Sequence, residues 1–144
     1  MLGDSRISIS LALNTKGGMK MSQHSIVHIE IPATDPAAAS KFYADLFDWK
    51  LQVDPTFNYH MFQADPGPGG GFVQVGEATG GYKLGEVLIY VSTDDIDATL
   101  ARVEALGGKT LQPKTEIPQT GWFAIFADPA GNRIALYTST MQQS

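Results

Sequence analysis

The chain has 144 residues, 43% of them hydrophobic, no cysteine and a formal net charge of −5, which allows one domain with a real core and is short for two. The ten Lys and Arg residues are scattered, so there is no basic stripe to neutralise phosphates, and nucleic acid is not an expected partner. The lack of cysteine excludes disulfides, thiolate zinc sites and cysteine nucleophiles, and no apolar run approaches the roughly 20 residues that span a bilayer.

A cytoplasmic protein is the expectation, with His, Asp, Glu and Gln left as possible metal ligands. Residues 1–21 stand apart from the rest. Ile7, Ile9, Leu11 and Leu13 alternate with small polar or Ala positions, which is strand periodicity and too short for a secretory apolar region. They read as an upstream extension or as an added strand, before a single domain over 22–144.

Residues 25–31 (SIVHIEI) read as a strand with Val27, Ile29 and Ile31 on one face and Ile26, His28 and Glu30 on the other. A polar pair on an apolar strand suggests that this face lines something other than packed core. Asp35 then caps a helix with Pro36 at its first position. Ala39, Phe42, Tyr43, Leu46 and Phe47 give that helix an apolar stripe, expected to lie on the Val27 face. Strands are expected over 49–53, 59–63 and 71–75, the last two separated by the loop ADPGPGG. That loop lacks the strand-to-helix context of a phosphate loop and reads as a turn.

The same order recurs. Residues 86–92 (EVLIYVS) read as a strand, and Asp94 or Asp95 starts a helix striped by Ile96, Leu100, Val103 and Leu106, with Gly107-Gly108 ending it. A short strand over 109–112 and a polar loop over 113–120 follow, the latter carrying Lys114 and Glu116 and expected to be solvated. The hairpin GWFAIFADPAGNRIALYT closes the domain, its turn built on DPAGN. Two β-α-β-β-β units, over about 25–76 and 85–138, therefore set the architecture, an α+β fold.

The stretches HIEIPATDPAAASKFYADLFDWKL, DDIDATLARVEALGG and PKTEIPQTGWFAIFADPAGNRIALY resemble the vicinal oxygen chelate superfamily, the group of glyoxalase I, bleomycin resistance proteins and extradiol dioxygenases. The resemblance implies two βαβββ modules forming paired curved sheets around a cavity, with a homodimer expected. Metal-dependent members hold one divalent ion with four inward side chains, two per module. Carried over, those positions fall on His28, near Gln74, on Leu88 (or on Glu86 after a two-residue slip) and on Ala135. Alanine cannot ligate, so His28, Gln74 and Glu86 are only a partial metal set. The expectation is a domain without a complete metal centre or other cofactor, and glyoxalase I activity is not expected.

His28 reads either as a half-buried ring paired with Glu30 or a carbonyl, or as a general base or ligand partner with Glu30 orienting it. Gln74, Leu88, Tyr90, Ala135 and Tyr137 are the expected ligand-facing positions. His60 reads as an exposed strand or interface residue and His24 as surface. The expected function is binding of a small organic molecule in the cavity. The competing readings are a lyase, isomerase or dioxygenase using a degenerate metal site or His28/Glu30 acid-base chemistry, and a sequestering protein. No nucleophile-elbow motif supports covalent hydrolysis.

Overall fold

The computed structural model describes residues 23–77 and 81–140; the extension over 1–21 and its expected strand lie outside the described residues. Among these residues the elements run β1 (Ile26–Ala33), α1 (Pro36–Phe47), β2 (Lys50–Asp54), β3 (Tyr59–Gln63), β4 (Gly70–Gln74), β5 (Leu88–Ser92), α2 (Ile96–Ala105), β6 (Lys109–Ile117), β7 (Gly121–Ala127) and β8 (Arg133–Ser139). The βαβββ order occurs twice, as the repeat predicts. The described residues divide into two compact units, one within His28–Leu88 and one built from 89–140 together with 23–27.

The two units are wired alike. In the first, β2 pairs antiparallel with β3 and β3 with β4, and β4 pairs parallel with β1, placing Glu30 opposite Gly71. In the second, β6 pairs antiparallel with β7 and β7 with β8, and β8 pairs parallel with β5, placing Tyr90 opposite Ala135. Each helix is the crossover that a parallel first-to-last pairing requires.

Helix α1 starts where Asp35 accepts a hydrogen bond from the Ala38 N–H at 3.2 Å, with Pro36 behind the cap. It packs on β3, β4 and β2, where Tyr43 stacks on Trp49 and Phe72, both at 5.5 Å between centroids. Trp49 in turn stacks on Phe62 at 4.4 Å, so the core of this unit is an aromatic pile, each pair worth about 0.5–1.5 kcal/mol beyond its buried area. The expected stripe is only partly used. Phe42, Leu46 and Phe47 are more than half exposed: Tyr43 fills the centre of the pile, and Phe47 meets only its edge, 5.2 Å from the Trp49 ring.

Helix α2 is capped by Asp95, which accepts from the Ala98 N–H at 3.0 Å, and it buries Ile96 and Leu100 against Ala124 and Leu136. Val91, Trp122 and Phe126 complete that core. Leu106, predicted to extend the stripe, is an exposed cap residue; the helix ends at Ala105, one residue before it, with Gly107 at φ 99° and the Gly108 N–H on the Val103 carbonyl at 2.8 Å.

Two strand boundaries differ from expectation. The first strand of the second unit begins at Leu88 rather than residue 86, leaving Glu86 in an exposed turn. The expected loop over 113–120 is largely strand: β6 continues to Ile117, and Pro113 is tolerated because β6 pairs with β7 alone and its register shifts on both sides of Gln112. Lys114, expected in a solvated loop, lies over the Trp122 ring at 5.1 Å. The DPAGN turn holds as predicted. Asp128 accepts from the backbone of Asn132 at 2.9 Å and of Ala130 at 3.0 Å, and Gly131 supplies the positive φ of 104°.

Candidate functional site

The parallel β1–β4 register and the antiparallel β3–β4 register decide which side chains meet on the face of the first sheet turned away from α1. Phe72 lies on the helix face, so Gly71 lies on the other, together with its cross-strand partners Glu30 and Met61. His28 shares the Glu30 face by strand alternation, and Tyr59 shares the Met61 face. A Cβ on Gly71 would stand 2.1 Å from the Tyr59 phenol oxygen, so the phenol of Tyr59 lies directly over the backbone of Gly71. Only glycine permits that approach.

On this face four side chains form one polar chain. His28 Nε2 is 2.8 Å from Tyr59 Oη, Tyr59 donates to Glu30 Oε2 at 2.9 Å, and Tyr82, from the loop before β5, donates to Glu30 Oε1 at 2.9 Å. The direct His28 Nε2 to Glu30 Oε2 distance is 3.8 Å, so the phenol stands between ring and carboxylate. Glu30 is 8% exposed, and both of its oxygens accept charge-assisted bonds. Tyr59 also stacks with the His28 ring at 6.3 Å between centroids. The predicted pair of His28 and Glu30 is therefore brought together, through a tyrosine that the sequence reading passed over. Only the β3–β4–β1 order places Tyr59 beside His28. Nothing in the sequence marks Tyr82.

The other predicted residues separate. Gln74 shares the face of Phe72, opposite to His28, is exposed, and gives its amide to the Thr34 carbonyl at 2.8 Å. The expectation that it would face inward beside His28 is corrected by one residue of register, which reverses the face. Leu88 is buried at the start of β5, and Tyr90 follows it on the same face. In the second unit Tyr90, Ala135 and Ile125 form one cross-strand row, and Ser92, Tyr137 and Phe123 form the next. Leu136 occupies the α2 side, so Ala135 and Tyr137 face away from the helix. Ala135 is fully buried, and Tyr137 donates to the Thr120 carbonyl at 3.3 Å.

This donor set does not fit a four-ligand divalent site. Position 135 offers no donor, Gln74 points to the wrong face and Glu86 precedes the strand. Among the described residues no three or more His, Asp or Glu are grouped to hold an ion. His60 pairs with Phe72 on the helix side, half-buried. His24, expected at the surface, lines a shallow cleft of about 270 Å³ with Gln23, Thr93, Asp95, Thr99 and Arg102.

Two units of the same βαβββ order, each a small sheet with a helix on one face, define a class, the glyoxalase-like α+β domains. Residues 25–136 match the Glyoxalase/Bleomycin resistance protein/Dioxygenase superfamily, and the chain belongs to that family. It is 36% identical over 118 residues to a glyoxylase-like domain-containing protein of Didymella fabae, covering 76% of this chain and 90% of the relative. It is 28% identical over 131 residues to the anthracycline biosynthesis protein DnrV of Streptomyces peucetius, and 26% identical over 124 residues to the putative glyoxylase CFP32 of Mycobacterium bovis. The matches cover 75% and 76% of this chain, but only 44% of DnrV and 43% of CFP32, so the chain spans less than half the length of those two. Among solved structures, a superfamily member from Vibrio splendidus 12B01 matches with a TM-score of 0.58 at 16% identity, over 81% of this chain and all of that one. Methylmalonyl-CoA epimerase from Mycobacterium tuberculosis matches with a TM-score of 0.59 at 14% identity, over 85% and 93%. At these identities the likeness is one of fold.

No described helix is long and apolar enough to cross a membrane.

Proposed function

We propose that this domain binds a small organic molecule on the sheet face that carries His28, Glu30 and Tyr59, without a complete divalent-metal centre. The observation that carries this reading is the His28–Tyr59–Glu30–Tyr82 chain, a polar assembly on a sheet face where packing alone would select apolar groups. The departures at Ala135 and Gln74 support the metal-free form. The name of DnrV makes an anthracycline a rational first probe. In this reading the protein is a cytoplasmic homodimer, for which the exposed Phe42, Leu46 and Phe47 of α1 give an apolar surface to cover.

Calorimetric titration of the chelated protein with an anthracycline and a panel of small carbonyl and phenolic compounds tests the reading. Binding should occur without added metal, and His28→Ala should weaken it about tenfold, a loss of about 1.4 kcal/mol, while the circular dichroism spectrum is kept. Binding that needs a stoichiometric divalent ion would contradict it.

A second reading is favoured by the coupling of His28 to a buried carboxylate. An imidazole held in this way is suited to proton transfer, and the domain would then be an isomerase or lyase with His28 as base. The two readings separate on turnover. In the second, the bound compound is chemically changed and His28→Ala abolishes the change in a folded protein.

A further inference from the structure

We infer that Tyr59 is a positioning residue that fixes the tautomer of His28, holding the neutral ring as its Nε2–H form and linking it to the Glu30 charge. The inference deepens the proposed reading, since it concerns the same site, but its test needs no ligand.

The argument is a count of protons. A carboxylate only accepts, and a phenol has one proton to give. Both oxygens of Glu30 face a phenol oxygen at 2.9 Å, Oε2 facing Tyr59 and Oε1 facing Tyr82. The Tyr59 proton is therefore committed to Glu30. At 2.8 Å from His28 Nε2, the Tyr59 oxygen is left as an acceptor, and the ring nitrogen must be the donor. The neutral ring then carries its proton on Nε2 and its lone pair on Nδ1. A direct His28–Glu30 bond does not set this arrangement, because those atoms are 3.8 Å apart. The acceptor is held in place by the backbone beneath it, since the Tyr59 phenol rests against Gly71 with no room for a side chain. On the same face lie Glu30 on the ring's own strand and Tyr59 on β3, with Asp54 opposite Tyr59 on β2, and Tyr82 reaches Glu30 from the loop before β5.

The experiment is a long-range proton–nitrogen correlation spectrum of the whole, uniformly ¹⁵N-labelled chain without ligand. It is recorded near pH 9, about two units above the ordinary imidazole range. His28 is assigned by its loss in His28→Gln. The expected result is an Nε2–H pattern with a slowly exchanging ring N–H proton. Tyr59→Phe should lose that slow exchange, and Tyr82→Phe should keep it. An Nδ1–H pattern in the wild type would overturn the inference, as would an equally protected Nε2–H proton in folded Tyr59→Phe. Should Tyr59→Phe fail to fold, exchange of the ring proton in the wild type decides the matter: a slowly exchanging Nε2–H proton is expected, and one exchanging as fast as in a free imidazole would overturn the inference.

Discussion

The phenol of Tyr59 rests on Gly71, a residue from the neighbouring strand, so closely that a single added carbon would stand 2.1 Å from the phenol oxygen and 2.2 Å from the ring carbon bearing it. That contact aligns three strands' worth of chemistry, since Gly71 is also the register partner of Glu30.

Gly71→Ala should therefore act on the site before it acts on the fold. Moving the Tyr59 ring aside is an overpacking change, expected to cost about 1–3 kcal/mol. The protected His28 ring proton should be lost with it. Urea unfolding together with the ring ¹⁵N spectrum checks both; an intact ring signature in a folded Gly71→Ala protein would show that the contact does not hold the tyrosine.

The closing turn makes the fold acid-sensitive. The Asn132 backbone N–H, followed by the Asn132 side-chain amide and the Ala130 and Gly131 amides, holds the Asp128 carboxyl below the ordinary range. A depressed folded-state value contributes stability that is present above the unfolded carboxylate value and is lost as pH falls through the folded one. Glu104, which accepts the Thr110 N–H at 2.8 Å, has the same sign. The urea midpoint should fall on acidification below the ordinary carboxylate range, and it should fall less in Asp128→Asn, the difference vanishing once both carboxyl groups are protonated.

The helix-side core of the second unit is set by a few side chains. Leu100 is 7% exposed and packs in one cluster with Ile96, Ala124 and Leu136. Leu100→Ala should cost about 2–5 kcal/mol, the usual range for a buried leucine that leaves a cavity. Leu106→Ala, at 66% exposure, should shift the urea midpoint little.

Much of this architecture is legible in the chain. The two Asp caps, the Gly107-Gly108 stop and the DPAGN turn are local signals that the structure reproduces at the predicted residues. What misled was what local pattern does not carry. Pro113 reads as a breaker until β6 is seen to pair on one side only. The stripe on α1 reads as buried until Trp49, Phe62 and Phe72 fill the space with one another. The site shows the same division. His28 and Glu30 announce themselves on a single strand, whereas Ala135 is marked by the family resemblance, and Tyr90 and Tyr137 by sharing the facing of Leu88 and Ala135. Gln74 failed because one residue of register reverses a strand's face, and Tyr59 was missed because its partners lie 29 and 31 residues away.

The central claim is that the His28 face, and not a metal centre, receives the ligand. Its most direct test is a backbone ¹H–¹⁵N titration of the full chain in excess chelator with an anthracycline and the carbonyl and phenolic panel. The account predicts that the largest shifts caused by a binding compound fall on the amides of His28, Glu30, Tyr59 and Gly71. Shifts that centre instead on the opposite face, around Phe72 and Gln74, or that appear only when a divalent ion replaces the chelator, would contradict it.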